Sequence, residues 1–125
     1  MGAKILIVDD DNGFRGSIKT ILISEGYSVA ETTSALKALP ILEKHKIDLL
    51  ITDIVMPEMD GLEFIQQVQK KYPDLKAIGM SGGGWMGNAD QVQGLANEFF
   101  SGFLKKPFGS KKIIDMVKDI ISKTE

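Results

Sequence analysis

Five short clusters in this sequence carry groups that can do chemistry together: Asp9-Asp10-Asp11, Asp53, Ser81, the glycines Gly82-Gly83-Gly84, and Lys105-Lys106. Acids gathered at one place repel. Two unit charges about 4 Å apart cost about 4 kcal/mol at an effective dielectric near 20. A hard divalent cation removes that cost, and an all-oxygen ligand set suits Mg²⁺, with Mn²⁺ as the alternative. Mg²⁺ typically takes one or two carboxylates and keeps waters that a phosphate oxygen can replace. A lysine adds a point charge for a phosphoryl oxygen, and a serine hydroxyl adds a hydrogen bond. The set suits phosphoryl transfer, whose catalysis is mostly positioning and charge neutralisation. In it Asp53 serves as nucleophile and forms an aspartyl phosphate.

These residues cooperate only if the fold brings them together. β-branched runs at Lys4–Val8, Asp48–Thr52, Lys76–Met80 and Gly102–Lys105 are bounded by Asp, Gly or Pro and read as strands, with a weaker strand over Ser28–Ala30. Between them lie stretches with helical spacing. Phe14, Ile18, Ile21 and Leu22 form one; Leu62, Ile65 and Val68 another; Val92, Leu95, Ala96 and Phe99 a third; Ile113, Met116, Val117, Ile120 and Ile121 the last. A further helix from Ser34 to about Lys46 contains Pro40, so a kink or a late start is expected there. The order βαβαβαβαβα predicts an α/β fold, a doubly wound five-stranded parallel sheet with helices on both faces. Right-handed crossovers place every strand-to-helix loop at one edge, where ligands of such sheets bind. The chemical residues all sit at carboxyl ends of predicted strands.

In sequence order the segments Ile5-Leu6-Ile7-Val8-Asp9-Asp10, Asp53-Ile54-Val55-Met56-Pro57 with Met59-Asp60-Gly61, Ser81, and Lys106-Pro107-Phe108 resemble the response-regulator receiver domain of two-component signalling over essentially the whole chain. The resemblance implies a flavodoxin-like (βα)5 fold with strand order 2-1-3-4-5 and a single receiver domain over residues 1–125, with no output domain in this chain. It implies that Asp53 is the phosphoacceptor and that Asp9, Asp10, Asp53 and the backbone carbonyl of Val55 hold Mg²⁺. By the same resemblance Ser81 and Lys106 would contact the phosphoryl group, and Phe103, with Ser81, would form the switch. The expected partners are a sensor histidine kinase or histidine phosphotransfer protein, or a small phosphodonor, and a downstream protein that reads the surface of the fourth helix, the fifth strand and the last helix. The domain catalyses only its own phosphotransfer and dephosphorylation and is otherwise not an enzyme.

Plainer readings cover several neighbours. Asp11 reads as a solvated acid at a helix start, where negative charge suits the dipole. Lys105 reads as surface, because strand alternation points it away from Lys106. Phe103 can be core, and His45 reads as helix-terminal. The triple glycine lacks the Gly-Lys-Ser/Thr ending of a phosphate-binding loop, and Asn88 with Gln91 resembles a capping pair. The chain departs from the receiver pattern at Gly82, in the Gly83–Met86 stretch, and at Phe99-Phe100, which replaces a Gly-Ala pair. Neither Val55 nor Gly83 can orient an attacking water, so slow loss of the phosphoryl group is expected.

Bulk properties narrow the alternatives. A chain of 125 residues is one domain's worth, and 43% apolar with 26% charged residues is ordinary for a globular protein. The net charge of −2 suggests no direct nucleic-acid partner, and the lack of cysteine rules out thiolate metal sites and nucleophiles. No signal peptide is evident, and no apolar run nears the roughly 20 residues a membrane helix needs, so a cytoplasmic protein without membrane contact is expected. The rivals are a non-phosphorylated interaction module of the same fold, which the intact acid–serine–lysine set opposes, and a haloacid-dehalogenase-like hydrolase, which needs an acid where Val55 stands. A flavin or nucleotide binder lacks a supporting motif.

Overall fold

A computed structural model describes residues 2–54, 61–81 and 99–124. The elements are β1 (Lys4–Val8), α1 (Asn12–Ser24), β2 (Ser28–Thr32), α2 (Ala35–Lys44), β3 (Leu49–Asp53), α3 (Gly61–Lys71), β4 (Lys76–Ser81), β5 (Gly102–Lys105) and α4 (Ser110–Thr124). All neighbouring strands pair in parallel, in the order β2-β1-β3-β4-β5. This is the flavodoxin-like order expected above. The helix expected over 92–99 and the Asn88–Gln91 cap lie outside the described residues, apart from Phe99.

Strand alternation divides the core in two. Ile5, Ile7, Leu49, Ile51, Ile78, Met80 and Leu104 point to one face and pack under Ile18 and Leu22 of α1 and Ile113 and Val117 of α4. Leu6, Val8, Leu50 and Ala77 point to the other and pack under α2 and α3 through Ala35, Ala38, Leu42, Phe64, Ile65 and Val68. The central strand β3 is buried along its whole length, as a strand covered on both faces must be.

Several element ends shift from expectation: β3 is Leu49–Asp53 and β4 runs to Ser81. The edge strand β2 continues two residues beyond Ala30, because Ile7 and Val8 offer register partners to Glu31 and Thr32. Helix α2 runs from Ala35 to Lys44 with Pro40 inside it, so of the two outcomes expected at Pro40 the late start is not taken. Ser34 fixes that start: its backbone is extended, and its side chain accepts a hydrogen bond from the Lys37 amide at 3.2 Å. The carbonyl that Pro40 deprives of a partner belongs to Leu36, which lies on the solvent side. Burial of Ala38 and Leu42 on the same helix offsets the lost bond.

Helix α1 ends in a Schellman motif. The Tyr27 amide donates to the Leu22 carbonyl at 3.1 Å and the Gly26 amide to the Ile23 carbonyl at 3.0 Å, with Gly26 at φ +94°.

Candidate functional site

The sheet ladder continues past the strands at the carboxyl edge and positions the loops there. The Asp9 amide donates to the Thr32 carbonyl at 3.2 Å, the Ile54 amide to Met80 at 2.9 Å, and the Lys106 amide to Ser81 at 2.7 Å. Alternation then fixes the side chains. Asp9 follows Ile5 and Ile7, Asp53 follows Leu49 and Ile51, and Lys106 follows Leu104, so all three face the α1/α4 side. Ser81 and Phe103 face the α2/α3 side; Ser81 is buried, and Phe103 is half-buried against that core.

Asp9 is fully buried, and both of its oxygens are engaged. Oδ1 accepts from the Asp11 amide at 3.0 Å, and Oδ2 accepts from Lys106 Nζ at 2.7 Å. The same ammonium donates to Asp53 Oδ2 at 3.1 Å, and Asp53 is only 7% exposed. Asp10 is exposed. Carboxylate oxygens of Asp9, Asp10 and Asp53 lie within 4.8 Å of one another. Asp11 stands apart: its side chain accepts from the Phe14 amide at 3.0 Å and caps α1. Lys105 is exposed, and His45 caps the C-terminus of α2 in solvent. Val55 and the segment from Gly82 to Met86 lie outside the described residues.

Lys106 reaches the acids across the face of an aromatic ring. Its Nζ sits 4.4 Å from the Phe14 centroid, and Phe14 meets Phe108 edge-on at 5.2 Å. Burial alone pulls the ammonium's proton affinity down. The hydrogen bond to Asp9 and the charge of Asp53 outweigh that, so Lys106 titrates above the ordinary lysine value. The ammonium therefore stays charged at every physiological pH and acts as an internal cation between two acids. One positive charge against three carboxylates leaves net negative charge, and every donor is oxygen, a set that fits Mg²⁺ or Mn²⁺.

Two contacting residues, Phe14 and Arg15, were not singled out by sequence for the site. Phe14 reads as part of an apolar helix stripe, while Phe108 is read only as part of the Lys106-Pro107-Phe108 segment. Arg15 gave one unread signal, a cation in the first turn of a helix, where the dipole disfavours it. Its guanidinium donates to the Asp9 carbonyl at 2.8 Å, to Asn12 Oδ1 at 2.8 Å and to Glu31 Oε1 at 2.9 Å. Lys19 Nζ meets the other Glu31 oxygen at 2.6 Å. Lys19 first, then Arg15, hold the Glu31 carboxyl below the usual glutamate range.

Comparison with known proteins agrees with this architecture. The family profile of the response regulator receiver domain matches residues 5–118. The chain is 35% identical over 125 residues to the sensor kinase CckA of Brucella abortus, covering 98% of this chain and 13% of that protein. It is 33% identical over 119 residues to the response regulator protein FleR of Pseudomonas aeruginosa, covering 94% of this chain and 24% of that protein. The chain thus spans about a quarter or less of the length of these two relatives. A solved CheY-like receiver domain from Methanospirillum hungatei superposes with a TM-score of 0.88 at 28% identity, over 99% of this chain and 97% of that one. No helix among the described residues is long and apolar enough to cross a membrane. On the profile match, the sheet order and these relatives together, the chain belongs to the response regulator receiver domain family, the signalling switch of two-component systems.

Proposed function

We propose that this chain is a phosphoacceptor switch in which the Asp53 carboxylate takes a phosphoryl group from a phosphohistidine of a sensor histidine kinase or histidine phosphotransfer protein, or from a small phosphodonor. The observation that carries the reading is the Lys106 ammonium bridging Asp9 and Asp53, with Asp10 beside them, at the carboxyl edge of the sheet. An Asp53 oxygen attacks phosphorus in line; the P–N or P–O bond to the donor breaks as the new P–O bond forms, and the leaving group departs with its electron pair. Asp9, Asp10 and Asp53 would hold Mg²⁺, with the Val55 carbonyl as a further ligand. Bound there, the cation neutralises charge on the transferred oxygens.

The chain's own groups do the rest. Lys106 keeps its proton and supplies fixed positive charge to a phosphoryl oxygen. Ser81, buried on the other side of the sheet edge, supplies a hydroxyl donor to a second oxygen. Drawing Ser81 toward the phosphoryl group opens space beside Phe103, and that ring carries the change to β5, α4 and the segment before them. A downstream protein reads that surface, and the reaction is cytoplasmic. The chain turns over no other substrate.

Incubation with acetyl phosphate and Mg²⁺, followed by intact-mass spectrometry, tests this. Wild type should gain one phosphoryl group, and Asp53→Asn should gain none. An equal gain in both proteins, or none in wild type, overturns the assignment.

A further inference from the structure

The acids of the site are held unequally. The Asp9 carboxylate is fixed by Lys106 and by the Asp11 amide. Asp10 is exposed, and the backbone that carries it sets where its rotamers can place the carboxylate. That backbone is the peptide joining Asp9 to Asp10, and its carbonyl oxygen accepts the 2.8 Å hydrogen bond from Arg15 Nη1. The other nitrogens of Arg15 are equally committed, to Asn12 at the start of α1 and to Glu31 on the edge strand β2. The Arg15 side chain is 11% exposed, and Lys19 closes on Glu31 from the solvent side. The guanidinium fork thus ties the acid loop to the sheet at three fixed angles, which an ammonium cannot reproduce.

We propose that Arg15, anchored by Glu31, is a positioning residue for the divalent cation: it locks the Asp9–Asp10 peptide plane and so aims the Asp10 carboxylate into the site. The inference rests on the reading that Asp9, Asp10 and Asp53 hold Mg²⁺. Two effects of Arg15 on that cation have opposite signs. Its positive charge repels Mg²⁺, so if charge were all that mattered, neutralising it would tighten binding. If it orients the ligand loop, removing it weakens binding, by about 10-fold at the lower end for outer ligand supports.

Calorimetric titration of the whole chain with Mg²⁺ decides the matter, using wild type, Arg15→Met, Arg15→Lys and Asp10→Asn, with thermal unfolding of each followed separately. The expected result is about 10-fold weaker Mg²⁺ binding in both Arg15 variants at temperatures where each is folded. Arg15→Lys keeps the charge and lacks the fork, so its loss isolates geometry. Arg15→Met binding Mg²⁺ as tightly as wild type, or more tightly, overturns the proposal, even if its unfolding midpoint falls. If Arg15→Met does not fold, unchanged affinity in Arg15→Lys overturns it. Wild type that binds no Mg²⁺ overturns the metal-site reading itself. Wild type that binds Mg²⁺, with Asp10→Asn weakened and the Arg15 variants unchanged, overturns the role of Arg15 alone.

Discussion

Lys106 bridges Asp9 and Asp53, so the chain itself supplies a counterion to the site. Replacing it by Met leaves Asp9 and Asp53 facing each other in a largely buried place. We expect Lys106→Met to lose about 1–3 kcal/mol at neutral pH, between the values for exposed and fully buried pairs. Added Mg²⁺ should then stabilise the variant more than wild type, because it replaces the missing charge. Urea denaturation with and without Mg²⁺ measures both effects; equal Mg²⁺ gains would count against the counterion role. The ring beneath the ammonium is testable in the same way. A double-mutant cycle of Phe14→Leu with Lys106→Met should give a coupling of about 0.5–2 kcal/mol. At this scale the convergence of Asp9, Asp53 and Lys106 was legible, because each lies at the end of a strand whose apolar residues fix its direction. Phe14 and Arg15 were not, because a helix stripe hides which of its members turn toward a strand-end loop.

Helix α1 is closed by geometry that only one residue type supports without strain. An added Cβ at Gly26 meets nothing within 4 Å, so the whole cost of a substitution there is backbone strain at φ +94°. Gly26→Ala should therefore cost about 1–2 kcal/mol in chemical denaturation. The β2 edge makes a different prediction. The folded-state pKa of Glu31 is lowered, so its contribution to stability is complete above the unfolded value of about 4.3 and is lost as pH falls through the folded value. The stability gap between wild type and Glu31→Gln should be present at pH 7 and shrink below pH of about 4; a constant gap would contradict the pairing. Helix spacing and apolar runs made most elements readable. The last residues of β2 were not, since an exposed edge strand carries little apolar signal and takes its length from its neighbour's register. At Pro40 a kink or a late start was open, and burial on one face of α2 keeps the helix running through it.

At the scale of the whole molecule, periodicity alone gives alternation and a parallel sheet, but the order 2-1-3-4-5 depends on contacts between distant segments and was legible only through family resemblance. The Phe99-Phe100 departure shows how such distant contacts settle. Phe100 is buried in the α2/α3 core, and a Cβ on Gly79 would come within 3.3 Å of its ring and of Ile54 Cδ1. The bare strand position in β4 and the large ring ahead of β5 thus fit one another across 21 residues of sequence (100 − 79). Gly79→Ala should destabilise unless Phe100 is shortened as well, and Phe100→Ala alone should lose about 3–5 kcal/mol through the void it leaves. For anyone building chimaeras between receivers, these two positions form one unit of exchange: a segment containing residue 100 can be transplanted only with the strand that makes room for it.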